Sequence, residues 1–271
     1  MQKQRITRVF YFIALIIIFN SSSFYSQTND DKVYNPSLLL DGSIIGLGII
    51  NGIAASSFPE IKPLTIDEIN RLNKNDVFFA DRWSAGNFSQ SISNVSDVLV
   101  VSMSFAPMAL LFDKGIRNEY NTFLMMYAEN ILWSAFTPSY AKETVQRVRP
   151  YAYSADAPIE KKQDVDTKRS FFSGHSCMAF SSAVFLSKVY TDFYPDSKYI
   201  PYVWSGSLLM AGTIAYLRIQ SGAHYLTDVL VGSAVGGSIG YLIPSLHKNN
   251  SKNKDLSLQI NPYFVSLTYR F

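Results

Sequence analysis

The sequence has one cysteine, Cys177, in 271 residues. An intramolecular disulfide is therefore excluded, and so is a cysteine-based metal cluster. Charge is also scarce. Asp, Glu, Lys and Arg make up 17% of the chain, below the quarter usual for soluble domains. The net charge is only +3, and the basic residues are scattered, so no electrostatic footprint for nucleic acid exists. Histidine occurs three times. No internal repeat is evident. What is abundant is apolar: 48% of the residues, with a mean hydropathy of +0.06. That value is high for a soluble protein and low for a chain of close-packed spans.

The N-terminus reads as a secretory signal over residues 1–26. Lys3, Arg5 and Arg8 precede an uncharged run from Val9 to Phe19, and a small polar stretch follows. The run is short for a bilayer span, and a retained anchor is the alternative. Export to the cell envelope is the expectation, with the mature protein periplasmic, membrane-associated or integral to the inner membrane.

Residues 27–94 read as an N-terminal helical and loop region. Within it, Thr65 and Glu68 have capping-box spacing. Apolar segments at 38–58, 98–112, 122–136, 176–190, 200–217 and 229–246 are long and lack strict alternation, with turn signals between them. The fold class is all-α, a helical bundle of about six core helices. Residues 95–246 form its core. Ile200–Leu217 and Val229–Leu246 are uncharged and sit at the lower length limit of a spanning helix. Glu129 interrupts the third segment and, in lipid, must face the bundle interior. Residues 247–271 read as a polar linker, including His247, and an alternating tail that forms a short strand or hairpin. A β-barrel is disfavoured because no series of such strands exists.

Three stretches carry chemistry. In "KETVQRVRP", Lys142 and Arg149 are seven residues apart, which puts both cations on one helical face ending at Pro150. In "RSFFSGHSCMAF", Ser173 and Gly174 stand where an apolar helix begins. Free N–H groups there favour an anion, and His175 lies in the first turn. In "YLRIQSGAHYLTDVLVG", Arg218 closes one helix, His224 opens the next, and Asp228 follows one turn later. A carboxylate there accepts from one imidazole nitrogen and leaves the other free to attack. Each stretch also has a structural reading: dipole complement, N-cap, surface pair. An out-and-back helical hairpin brings all three to one end of the bundle. The cations suit a phosphate and its transition state. Asp228 is the sole carboxylate of the set, which leaves a two-metal site short of ligands.

Lys142-(six residues)-Arg149-Pro150, Ser173-Gly174-His175 and Arg218-(five residues)-His224-(three residues)-Asp228 together resemble the signature of the type 2 phosphatidic acid phosphatase family. That family shares its fold with bacterial non-specific acid phosphatases and vanadium haloperoxidases. The resemblance covers roughly residues 95–246. It implies that His224 is the nucleophile, forming a phosphohistidine, with Asp228 orienting it and His175 protonating the leaving oxygen. It implies that Lys142, Arg149, Ser173, Gly174 and Arg218 bind phosphoryl oxygens, and that no cofactor or metal takes part. Two positions depart from the pattern: Phe172 stands for the usual Pro, and Leu217 for the usual Ser. Phe172 is read as changing the loop or lining the substrate pocket.

The expected function is hydrolysis of a lipid phosphate or diphosphate at a membrane: phosphatidate, polyprenyl diphosphate or a lipid A phosphate. The alternatives are a soluble periplasmic acid phosphatase acting on small phosphomonoesters, a vanadate-dependent haloperoxidase and a non-catalytic envelope protein. The loop 151–169 is read either as a gate or as a solvent loop.

Overall fold

The structure is a computed structural model that describes residues 32–249 and the strand segments 256–261 and 264–269. The signal-like residues 1–26 lie outside the described residues. Among the described residues six long helices build the bundle: α1 (Leu38–Ser56), α2 (Gln90–Phe105), α3 (Tyr120–Val145), α4 (Gly174–Phe193), α5 (Ile200–Gln220) and α6 (Leu226–His247). They correspond one for one to the six apolar segments.

Local chemistry sets the helix starts. Ser37, Ser89 and Ser173 each accept from a backbone N–H of the first turn. Pro201 occupies the first turn of α5, where its missing N–H costs nothing. Asp228 accepts from Tyr225 N at 2.9 Å and caps α6. The Thr65–Glu68 capping box is present as its spacing predicts. Helix α3 ends earlier than expected. Gln146 takes a left-handed conformation (φ 49, ψ 42) after Val145, so Arg149 lies on extended chain rather than on the helix. Pro150 disfavours helix at Arg149, but the left-handed cap stops it first.

Helix α4 is central and packs against α2, α3, α5 and α6. Its closest approach is to α6, through Gly232, Gly236 and Gly240. A Cβ on Gly236 would lie 2.1 Å from the Cys177 carbonyl oxygen, and one on Gly240 2.3 Å from that of Ser181. Small residues let the backbones meet, as in packed membrane helices. Buried hydroxyls add polar contacts: Ser134 Oγ donates to Ser181 Oγ at 2.7 Å, and Ser187 and Ser207 pair at 2.8 Å. Each such contact contributes about 0.6 kcal/mol. Apolar packing fills the rest, with Phe123, Met126, Phe185, Val189 and Ile243 in one cluster.

Among the described residues, four helical stretches are long and apolar enough to cross a membrane: Leu38–Ser56, Gln90–Phe112, Ile200–Gln220 and Leu226–His247. Their large apolar side chains face outward, among them Leu47, Ile50, Val98, Phe105, Leu209 and Leu242. A soluble bundle would turn these inward. The tail forms an antiparallel hairpin, β1 (Leu256–Asn261) with β2 (Phe264–Tyr269), with Ile260 opposite Val265. His247 is not part of a polar linker. It is the last residue of α6 and is buried, because its imidazole meets Asp41 at the start of α1.

Candidate active site

Five helix ends converge at one end of the bundle: the starts of α2, α4 and α6 and the ends of α3 and α5. They enclose a cavity of about 360 Å³. Of the residues singled out from sequence, Lys142, Arg149, His175, Arg218 and His224 line it. The other three stand behind this wall. Ser173 is the buried N-cap of α4; its Oγ accepts from Ser176 N at 3.3 Å and from Ser176 Oγ at 2.9 Å. Gly174 is the first residue of α4, and a Cβ there would lie 3.6 Å from Lys142 Nζ. Asp228 is fully buried.

His224 follows a tight turn that Gly222 permits with a φ of +74. A Cβ on Gly222 would fall 1.8 Å from the Asn87 carbonyl oxygen. The imidazole Nδ1 lies 2.7 Å from the Ser170 carbonyl oxygen and 3.9 Å from Asp228 Oδ2. A carbonyl only accepts, so Nδ1 carries the hydrogen and Nε2 holds the lone pair. This corrects the sequence reading in one detail: the short contact that sets the tautomer comes from backbone, and Asp228 stands behind it. Asp228 instead accepts from Ser170 Oγ at 2.5 Å and from Arg147 Nη1 at 2.6 Å. Burial pushes the His224 imidazole down to about 3, with Arg149 and Arg218 adding to the shift against Asp228.

Arg147 was not singled out from sequence. It bridges Asp228 to the buried Asp81, with Nη2 at 2.8 Å from Asp81 Oδ2, and its guanidinium lies over the Tyr225 ring at 4.2 Å. Asp81 in turn accepts from Thr227 N and Thr227 Oγ1. The pair of carboxylates holds Arg147 charged despite its partial burial.

The cavity also gained carboxylates that sequence did not reveal, so Asp228 is not the only one at the site. Asp97 of α2 takes His175 Nε2 at 2.7 Å and Arg218 Nη1 at 3.0 Å. Asp166 takes Arg149 Nη2 at 2.8 Å. Burial raises Asp166, but Arg149 and Lys142 outweigh it and hold the carboxyl below its usual range. Burial and Arg218 push His175 down to about 4, against Asp97. Asp97 and Asp166 lie 121 and 17 residues from Arg218 and Arg149, distances at which no local spacing signals a pair. The loop 151–169 is a wall of the cavity, contributing Tyr151, Lys161 and Asp166. It is tied down by Arg149 N to Thr167 O and Tyr151 N to Gly222 O.

Both departures from the family pattern have a structural outcome. Phe172 is buried, packs edge-on against Phe171 and is not part of the cavity lining. The expected pocket-wall role is thus corrected: the chain turns Phe172 into the core. The hydroxyl missing at Leu217 has substitutes in Ser93 and Ser96, which accept from Arg218 Nη1 at 3.2 and 2.9 Å. Even so, the Nε atoms of Arg149 and Arg218 are buried without a hydrogen-bond partner among the described residues.

The family model of the PAP2 superfamily matches residues 123–252, which contain all three motif stretches. The match covers just under half of this chain and is a likeness to the PAP2 superfamily over those residues. Two curated relatives align with it. A lipid A 4'-phosphatase of Porphyromonas gingivalis is 32% identical over 76 residues, covering 28% of this chain and 29% of that protein. A PA-phosphatase related-family protein of Dictyostelium discoideum is 25% identical over 178 residues, covering 59% of this chain and 64% of that protein. The chain spans less than two thirds of the length of either. A transmembrane PAP2 type phosphatidylglycerolphosphate phosphatase from Bacillus subtilis has a TM-score of 0.45 at 18% identity, covering 79% of this chain and 97% of that one. The outward apolar faces of four membrane-length helices among the described residues support an integral membrane protein.

Proposed function

We propose that this chain is a lipid phosphate phosphatase that works through a phosphohistidine on His224. The observation that carries the reading is the cavity itself. It gathers Lys142, Arg149, Lys161 and Arg218 around an imidazole whose Nδ1–H is committed to the Ser170 carbonyl. The Nε atoms of Arg149 and Arg218, unpartnered among the described residues, suit a ligand rich in acceptor oxygens.

In this reading His224 Nε2 attacks phosphorus as the ester P–O bond breaks. The leaving oxygen takes a proton from His175, whose protonated form a bound phosphate dianion and Asp97 favour. Water then attacks the phosphohistidine, His175 recovers a proton from it, and the N–P bond breaks to release phosphate. Lys142, Arg149 and Arg218 stabilise the equatorial oxygens of both transition states. Asp97 and Asp166 hold these cations in place and yield part of their contacts to phosphoryl oxygens. Ser173 and Gly174 start the helix whose N-terminus faces the same region.

The substrate class rests on the membrane-length helices and on the stretch shared with the lipid A 4'-phosphatase. A lipid phosphate at the membrane surface, phosphatidate, a polyprenyl diphosphate or a lipid A phosphate, meets the cavity without leaving the bilayer. The basic and then apolar N-terminus supports export, and in this reading the cavity opens on the outer side of the inner membrane. The test is a phosphate-release screen over lipid and soluble phosphates with wild type and His224→Ala. Wild type should release phosphate from a lipid substrate, and His224→Ala should lose at least about 10³-fold. Unchanged release by His224→Ala on every substrate would overturn the assignment.

A further inference from the structure

At the opposite end of the bundle from the cavity, three titratable side chains meet in the interior. His247 ends α6, Asp41 opens α1, and Glu129 lies on α3; each is at most 1% exposed. Asp228 and His247 are nineteen helical steps apart on α6, about 28 Å along the axis, so this cluster plays no part in the phosphate cavity. One ligand atom from each of the three lies within 4.8 Å of the others.

Hydrogen-bond geometry constrains what occupies the cluster. His247 Nδ1 is 2.8 Å from the Ile243 carbonyl oxygen and must donate to it. Nε2 of a neutral ring is then a lone pair. It faces Asp41 Oδ1 at hydrogen-bond distance and Glu129 Oε2 at 3.5 Å. A lone pair and two carboxylates repel, so the cluster needs either extra protons or a metal cation among them. A proton on Nε2 makes an imidazolium but leaves a net charge of −1 with two ionised acids. It also leaves both Glu129 oxygens buried with no hydrogen-bond donor among the described residues. That arrangement is costly in a low-dielectric interior. A divalent cation brings the sum of a neutral imidazole and two carboxylates to zero.

We propose that His247, Asp41 and Glu129 bind one divalent transition-metal ion of the zinc type. An imidazole with two carboxylates is a donor set for such ions, whereas calcium and magnesium take six or more oxygens. The Nδ1–H to Ile243 contact is the outer hydrogen bond that a ligating histidine makes to fix its ring. Binding displaces the proton held between His247 and Asp41, which leaves to solvent. The ion ties α1 and α3 to the end of α6 and so staples the far end of the bundle. The strap of residues 33–35 closes over it, with Asn35 N donating to the His247 carbonyl at 2.8 Å and Tyr34 pairing with Lys248.

The test measures metal in the full chain, purified in detergent from cells grown with added Zn²⁺. Wild type should carry one Zn²⁺ per chain, and a chelator should lower its melting midpoint by about 5 °C. Glu129→Gln and His247→Gln should carry none, and a chelator should not move their midpoints. His224→Ala should keep the metal in full, which separates this site from the phosphate cavity. Wild type free of metal and indifferent to both Zn²⁺ and chelator would overturn the proposal. So would loss of the metal in His224→Ala, or full metal in Glu129→Gln. A metal-free wild type that Glu129→Gln stabilises would assign the cluster to shared protons instead.

Discussion

His224 Nδ1 donates to the Ser170 carbonyl at 2.7 Å, while Asp228 Oδ2 stands 3.9 Å away. The residue four positions on therefore acts on the imidazole through Ser170, whose hydroxyl it holds at 2.5 Å. The backbone carbonyl fixes the tautomer, and Asp228 fixes the segment that carries the carbonyl.

Asp228→Asn should accordingly lower kcat by about 10²-fold, the cost of a misplaced group, with a smaller change in KM. His224→Ala should cost far more. Steady-state kinetics on one lipid phosphate compares the two, and equal losses would mean that Asp228 contacts the nucleophile directly.

Asp81 should matter for stability more than its distance in sequence suggests. It is fully buried and takes both Arg147 and the start of α6. Asp81→Ala leaves Arg147 with one carboxylate and should destabilise the chain by about 2 kcal/mol, less than a fully buried pair because Arg147 is partly exposed. Arg147→Lys should not restore it, since a single ammonium cannot span Asp81 and Asp228 as a fork does. Thermal melts of the three proteins test this.

His175→Ala should spare substrates with good leaving groups, which need no proton, and slow poor leaving groups by about 10²–10⁴-fold. Rates on a series of phosphomonoesters of graded leaving-group pKa provide the measurement. A uniform loss across the series would remove His175 from the acid role.

Stability of the substrate-free chain should fall as pH drops from about 6.5, the ordinary histidine value, towards about 3. His224 is neutral when folded, held down chiefly by burial, whereas the unfolded chain binds its proton below 6.5. Above 6.5 both states are neutral and the contribution is flat. His175, held down to about 4, acts in the same sense over a narrower window. Melting midpoints across this range should fall less steeply for His224→Gln than for wild type.

Gly236→Ala should destabilise by about 1–3 kcal/mol, because its Cβ meets the Cys177 carbonyl where neither backbone can give way. Gly212→Ala on α5 is the control. No described residue lies within 4 Å of its Cβ, and helix propensity alone should make it neutral or stabilising by up to about 1 kcal/mol. Unchanged melting of Gly236→Ala would disprove the close approach of α4 and α6.

The sequence by itself determined the six helices, because apolar runs, Ser caps and turn residues act over neighbours within a few positions. It also determined which residues carry the three motif stretches, since their order and spacing are properties of the chain. Arg149 shows where local reading stopped short: the left-handed Gln146 ends α3 early, yet Arg149 still reaches the cavity from extended chain. Phe172 shows the same limit, being a pocket wall by position and a core residue by packing. Only the tertiary structure decided that Asp97 and Asp166 enter the cavity, that Arg147 links Asp81 to Asp228, and that His247 leaves the tail to meet Asp41 and Glu129. Those partners lie between 17 and 206 residues apart. Ion pairs at such separations follow from which helix faces pack together, and no periodicity along the chain encodes them.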